Sequence, residues 1–351
     1  MRATIHRQRM ARDRGQRMET RSSLRRYWAL ALCLALPVLA GNVGAQERRI
    51  ETAAGERMLR YDFPAVRVGI AEYPDGPTGV TVLRFPNGAS MAADIRGGSP
   101  GFVGDYGFVH AVTLAGGSLL GLEAAAGVAA ELFAQGGSQG RWDAIPLVSG
   151  GIVYDFGGRD NGIYPDKRLG RAALNAVREG IVPLGQRGAG IAVTVGNGFA
   201  FDRGEAAGQG AAFREVGGVK FLAVVVLNAL GAVFDRSGQI VLGHLNPETG
   251  QRSSYPEEIE RLAGGAQPTP GNTTLTVVVT NQTMHRQDLI QFGRQVHASM
   301  ARGVQPFHSR DDGDILWAIS TNEVEEPAWS NMALGVVASE TVWDAVLEAR
   351  P

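Results

Sequence analysis

The chain has one cysteine, Cys33, and it lies inside an apolar run near the N-terminus. From residue 46 onward there is none. A disulfide, a thiolate nucleophile and a cysteine-ligated metal are therefore excluded for the body of the protein. The HExxH, P-loop and GxGxxG patterns are also missing. The six histidines (His6, His110, His244, His285, His297 and His308) show no metal-ligand spacing. No internal repeat is found, and the 48 glycines follow no short period, which excludes collagen-like and low-complexity architectures. The sequence implies no metal and no organic cofactor.

Nor does one sign of charge dominate. The whole chain carries a net charge of −1. Residues 1–45 hold nine arginines against Asp13 and Glu19, out of 34 basic and 35 acidic residues in all, which leaves the rest with an acid excess of eight. A mildly acidic body offers nothing to a nucleic-acid partner. The basic start has another reading. Arg21, Arg25 and Arg26 precede the apolar run Trp28 to Ala40, and Gly41-Asn42-Val43-Gly44-Ala45 follows it, with small residues at Val43 and Ala45. These are the parts of a secretory signal, cut near Ala45. The run is short for a membrane span, so no stable anchor is expected. The expectation is a periplasmic or secreted protein, with translation starting at Met1 or Met18.

With a hydrophobic share of 44%, the rest of the chain can bury a large core. Short strands are expected at 66–70, 79–83, 90–95 and 109–114, and a helix from about Leu120 to Phe133. A strand-and-loop region spans 145–156, followed by a helix near Leu169 to Glu179. Residues 190–196 and 219–227 are strongly β-prone, and 233–242 reads as a hairpin. Residues 246–270 are polar and rich in Gly and Pro, which predicts a linker or exposed loop. A confident strand then opens at Asn272-Thr273. Helices are expected over Gln287–Arg302 and Trp329–Glu348, with a short strand at 315–320. Buried strands mixed with helices, without regular βαβ alternation, predict an α+β layered sandwich.

Two GxSxG patterns occur, at Gly97–Gly101 and Gly136–Gly140. A nucleophile elbow needs a strand before its serine and a helix after it. Pro100 opposes that at Ser99, and Ser138 follows a helix, so both read as loops. The junction Gly271-Asn272-Thr273 stands out instead. A polar linker ends there directly at a buried strand. A threonine exposed at a new N-terminus has its own amine within reach to act as base. Asn272–Thr273 is thus a candidate self-cleavage site, set against an ordinary turn before a strand.

The stretch Gly271-Asn272-Thr273-Thr274-Leu275-Thr276-Val277-Val278-Val279-Thr280-Asn281 closely resembles the β-chain start of the L-aminopeptidase/D-esterase family, also called the P1 or β-peptidyl aminopeptidase family. Four further segments resemble the same family in order: Arg96 to Gly101, His110 to Ala125, Val224 to Gly231, and His308 to Asp314. The resemblance spans roughly residues 65–345. It implies an αββα four-layer sandwich, similar to the N-terminal-nucleophile hydrolases but with different strand connectivity. It also implies self-cleavage into an α chain 46–272 and a β chain 273–351, with Thr273 as nucleophile. By the same resemblance Asn228 contributes to the oxyanion hole, and Asp312 and Asp314 support the nucleophile and its amine. Read from residue type alone, Asn228 could equally be a structural turn, and Asp312-Gly313-Asp314 a simple turn. Ser118 and Tyr154 are candidate pocket residues.

One departure matters. Peptidase members are expected to carry a glutamate near Leu147–Ser149 to bind the substrate's free amine; Ser149-Gly150-Gly151 offers no carboxylate. An amidase or esterase acting on acyl groups without a free N-terminus is therefore a serious option. The expectation is a self-processing hydrolase of a small peptide, amide or ester substrate, assembled as a homo-oligomer of αβ units. The alternative is an inactive relative that keeps the fold as a periplasmic binding protein.

Overall fold

Runs of β-branched residues set the centre of the molecule. In the computed structural model, which describes residues 48–198, 203–261, 271–325 and 329–351, every residue of Thr273–Gln282 is buried. A strand apolar on both faces must be covered on both sides. The expected signal (1–45) and part of the expected linker (262–270) lie outside the described residues.

In chain order the strands begin with β1 (Met58–Arg60), β2 (Arg67–Tyr73), β3 (Thr78–Ile95), β4 (Phe102–Val103), β5 (Phe108–Ala115) and β6 (Val148–Ile152). Next come β7 (Arg178–Glu179), β8 (Ile181–Pro183), β9 (Thr194–Val195), β10 (Glu205–Ala206), β11 (Gln209–Val216) and β12 (Val219–Asn228). The last are β13 (Ala232–Phe234), β14 (Ile240–Leu242), β15 (Thr273–Gln282), β16 (Val304–Gln305) and β17 (Ile315–Val324). The helices are α1 (Leu122–Gln135), α2 (Lys167–Asn175), α3 (Tyr255–Arg261), α4 (Arg286–Ser299) and α5 (Asn331–Glu348).

The main sheet runs β11-β12-β15-β17-β3-β5-β6-β4, with β2 also on β3 and β7 on β2. Only β15–β17 and β5–β6 are parallel within it. Strands far apart in this order face one another. A Cβ on Gly151 of β6 would lie 2.6 Å from the Trp317 ring of β17. Trp317 Nε1 donates to Ser149 Oγ at 2.7 Å, and Thr81 Oγ1 of β3 donates to Gln209 Oε1 of β11 at 2.6 Å. The sheet is thus doubled over into two layers, joined through β3.

Helices α4 and α5 cover the layer that holds β11, β12 and β17, while α1 and α2 cover β2, β5 and β6. The αββα layering is as expected from the sequence. Helices α1 and α2 touch at glycines: a Cβ on Gly127 would meet the Lys167 carbonyl at 2.2 Å, and one on Gly170 the Ala124 carbonyl at 2.2 Å. Trp317, Phe85, Phe221 and Met91 are fully buried. Each such side chain contributes about 1.5–3 kcal/mol by leaving water.

Four expectations need correction. Strands at 79–83 and 90–95 are one strand of 18 residues, β3, with an irregular register between Arg84 and Ala89. The helix after Leu169 stops at Asn175, because Arg178–Glu179 pair with β2 instead. Residues 190–196 form a 3-10 turn and the two-residue β9 rather than a full strand. Gly190 and Gly196 there press against other backbone, with would-be Cβ atoms 2.4 Å from Gln209 N and 2.3 Å from His244 N. Finally, the 246–270 linker contains α3, anchored where Arg203 Nη1 meets Glu258 Oε1 at 2.8 Å. Among the described residues no helix is long and apolar enough to cross a membrane.

Candidate active site

Strand β15 begins at Thr273, so the linker meets the buried strand at the Asn272–Thr273 bond. Thr273 is 3% exposed. Its neighbour on one side is the last residue of β12: Asn228 pairs with Thr273 in antiparallel register. On the other side, the loop leading into β17 makes a parallel bridge, Asn272 with Asp312. Three separate stretches of sequence therefore converge on one peptide bond.

The Asn272 carbonyl oxygen is the focus. Thr273 Oγ1 donates to it at 2.5 Å, and Gly313 N–H donates to it at 2.9 Å. Gly313 has to be glycine to sit there: a Cβ would fall 2.6 Å from Thr273 Oγ1 and 2.8 Å from the Ser99 carbonyl. Asn228 reaches the adjacent peptide unit. Its Nδ2 donates to the carbonyls of Gly271 and Tyr154, both at 3.1 Å, and its Oδ1 accepts Thr194 N–H at 3.1 Å. In the uncut chain Asn228 thus grips the carbonyl one residue before the Asn272–Thr273 bond, while Gly313 holds that bond's own oxygen.

Both aspartates are buried beside the start of β15. Asp314 Oδ1 accepts Thr274 N–H at 2.8 Å, and its Oδ2 accepts His308 N–H at 2.9 Å. Asp312 accepts Ser309 Oγ–H at 2.7 Å and Leu230 N–H at 3.3 Å. Burial, followed by the charge of Asp314, pushes the Asp312 carboxyl up to about 7. Tyr255 of α3 is pushed up to about 12, first by burial and then by Asp312 and Asp311.

The Gly97-Gly98-Ser99 loop braces this segment from behind. Gly98 N–H donates to the Ser309 carbonyl at 3.1 Å, and Ser99 N–H to the Asp312 carbonyl at 2.9 Å. Ser99 is therefore a loop residue and no elbow, as expected. Ser138 lies just past α1, where its N–H closes the helix end on the Phe133 carbonyl at 2.9 Å.

The Tyr154 ring lies over Gly271, where a Cβ would be 2.8 Å from the ring. Ser118 opens the turn before α1 with its N–H on the Val153 carbonyl at 3.0 Å. Among the described residues it makes no hydrogen bond to Thr273 or Asn228. Ser149 is fully buried, its hydroxyl held between the Val103 carbonyl and Trp317 Nε1. Gly313, Thr194, Ser309 and His308 went unnoticed as site residues. The first two act through backbone N–H groups, which leave no mark in a sequence.

Solved structures share this fold, two of them informative here. One is a beta-aminopeptidase of Burkholderia sp. (TM-score 0.60, 17% identity, 84% of this chain and 88% of that one). The other is the L-aminopeptidase D-Ala-esterase/amidase of Ochrobactrum anthropi, described as a variant of the Ntn hydrolase fold (TM-score 0.59, 17% identity, 81% and 83%). The architecture is that of an N-terminal-nucleophile-type hydrolase. The chain belongs to Peptidase family S58, whose model matches residues 61–350, and it is a hydrolase of amide bonds rather than an inactive binding module. Among similar proteins, a 6-aminohexanoate-oligomer endohydrolase of Agromyces sp. (strain KY5R) is 45% identical over 311 residues, covering 85% of this chain and 87% of that protein.

Proposed function

We propose that the protein cuts itself at Asn272–Thr273 and then hydrolyses internal amide bonds of small linear amides with Thr273 as nucleophile. The observation that carries this reading is the Asn272 carbonyl oxygen, shared between Thr273 Oγ1 and Gly313 N–H. In self-cleavage the Thr273 oxygen attacks the Asn272 carbonyl carbon, and the oxyanion that forms is stabilised by Gly313 N–H. The C–N bond breaks, the hydroxyl proton passes to the departing Thr273 nitrogen, and water hydrolyses the ester to leave a carboxylate at Asn272.

In the mature enzyme the Thr273 amine takes the hydroxyl proton as the oxygen attacks the substrate carbonyl. It returns that proton to the leaving amine, and water releases the acyl group. Asn228 Nδ2, freed of the Gly271 carbonyl once the cut end moves, stabilises the substrate oxyanion. Asp312 and Asp314 order the amine side.

The substrate class follows from two points. Ser149, where a carboxylate for a free amine was sought, is sealed beneath Trp317 and offers no anchor. The Agromyces relative is named for endo-hydrolysis of 6-aminohexanoate oligomers. We therefore favour linear ω-amino-acid oligomers and N-blocked amides over free-amine peptides. The arginines and apolar run before Ala45 support export by a cleaved signal. Exposed Trp142, Leu119 and Leu120 support assembly of αβ units into an oligomer.

The test is mass spectrometry of purified protein, with hydrolysis of 6-aminohexanoate oligomers and blocked chromogenic amides. Two chains, one starting at Thr273, are expected, and Thr273→Ala should stay intact and inactive. An intact wild-type chain that hydrolyses these amides, or an active Thr273→Ala, would sink the reading.

A further inference from the structure

Behind the aspartates a chain of polar groups runs from the surface at Arg96 inward to Asp314, and its histidines play no part in the mechanism above. Asp94 of β3 sits within 2.6 Å of Arg96 Nε and 2.9 Å of His297 Nδ1 from α4. The His297 ring meets the His308 ring edge-on, with centroids 4.2 Å apart. His308 Nδ1 is 3.2 Å from Asp314 Oδ2, and Asp314 Oδ1 holds Thr274 N–H at 2.8 Å. The chain therefore ends on the amide next to the nucleophile.

The hydrogen-bond partners assign the protons. Both Asp314 oxygens accept a backbone N–H, from Thr274 and from His308 itself, and we assign the His308 Nδ1 proton as a further donor to this acceptor. His297 likewise donates from Nδ1 to Asp94. Among the described residues neither Nε2 has a hydrogen-bond partner. Burial, foremost, holds His297 below the ordinary imidazole range. Burial also raises Asp94, but the hydrogen bonds of His297 and Arg96 outweigh it and leave the carboxyl low. His308 adopts a left-handed backbone, φ 61°, held between Phe307 and the His297 ring. A non-glycine residue in this region is strained and persists only where its surroundings enforce it.

We propose that His308 is a positioning residue for Thr273: through its Nδ1–H it fixes Asp314, which fixes the Thr274 amide and with it the first residues of β15. Arg96, Asp94 and His297 hold the His308 ring in place. The inference rests on Thr273 being the nucleophile.

Two variants separate the donor from the ring. In His308→Asn the amide nitrogen stands where Nδ1 stood, and asparagine tolerates the left-handed backbone. His308→Leu keeps bulk and loses the donor. We expect His308→Leu to lower kcat on a blocked chromogenic amide by about ten- to a hundredfold, the scale of a small misplacement of a reacting group. KM should change less than about twofold, since the proposed role is to place the nucleophile and not to hold substrate. His308→Asn should stay within about threefold of wild type. Self-cleavage, followed by gel from the intact precursor, should slow in the same order. Circular dichroism and melting confirm that both variants fold. Equal activity in the two variants, whether high or low, overturns the proposal, as does a His308→Leu loss carried by KM. Thr273→Ala keeps the parent reading separate. If it is active, the nucleophile assignment fails. If it is dead while His308→Leu matches wild type, only the positioning role fails.

Discussion

The two flanks of Thr273 are built from opposite chemistry. On the β12 side stands a neutral amide, Asn228, oriented by Thr194 N–H and aimed at carbonyls. On the side of the loop before β17 stand two carboxylates, Asp312 and Asp314, receiving N–H and O–H donors. Gly313 sits between those carboxylates, yet presents its N–H to the Asn272 carbonyl. The contrast teaches how one strand end can serve an oxyanion and an ammonium together. In the proposed reaction, donors that never titrate would stabilise the negative oxygen, and acceptors would surround the nitrogen.

The sharpest way to break this comparison is Gly313→Ala. The new methyl group would lie 2.6 Å from Thr273 Oγ1 and 2.8 Å from the Ser99 carbonyl, and the loop must shift its N–H off Asn272. Self-cleavage should fall by about a hundredfold or more, in line with loss of one oxyanion donor plus displaced geometry. A gel time course from freshly purified precursor measures it. Processing at the wild-type rate would remove Gly313 from the neutral set.

Asn228→Ala comes next. Loss of one oxyanion donor costs about 10²–10³ in kcat. Steady-state kinetics on the mature two-chain enzyme should show that loss. If Asn228→Ala is mild, the oxyanion work belongs to Gly313 alone, and the two flanks are less divided than argued.

The carboxylate flank makes a prediction about stability. Asp312 has an ordinary value of 3.8 and is raised to about 7 in the folded chain. Between those values the folded state binds more protons than the unfolded state, so stability falls as pH rises from about 4 to about 7, and the penalty is complete above 7. Asp312→Asn in the uncut Thr273→Ala chain removes that penalty. It should raise the stability at pH 8 by about a few kcal/mol, seen as a higher Tm, and change little at pH 4. Calorimetry at the two pH values decides it. An equal shift at both would mean that Asp312 is not a strained carboxylate.

How much of this was legible depends on what each residue shows in a sequence. The β12 and β15 runs were readable because β-branched residues repeat without polar interruption, as only a strand covered on both faces requires. The junction at Asn272–Thr273 was readable because composition changes there abruptly. Asp312, Asp314 and Asn228 were visible as residue types, and the resemblance ordered them. Gly313 was not, since it acts through a backbone N–H that every non-proline residue has. His308 shows as a residue type within a resembling segment, but its sequence spacing carries no sign that its partner is the Asp314 carboxylate. The β-prone stretch 190–196 misled because its valines are real but its glycines pack against other backbone, which confines the ladder to the two residues of β9 paired with β10.

The smallest expected effect concerns Tyr154, which stands on the neutral flank without a polar side-chain role. Its carbonyl receives Asn228 Nδ2, and its ring covers Gly271 and packs edge-on against Phe156. Neither function uses the phenol hydroxyl, which has no hydrogen bond among the described residues. Tyr154→Phe preserves both the carbonyl and the ring, so kcat/KM should stay within about twofold of wild type, a change of under about 0.5 kcal/mol in the barrier. Tyr154→Ala keeps the carbonyl but strips the cover, and should cost more through KM than through kcat. A drop of tenfold in Tyr154→Phe would mean that the hydroxyl reaches substrate. The flank would then hold a titratable donor, and its division from the carboxylate side by charge alone would no longer stand.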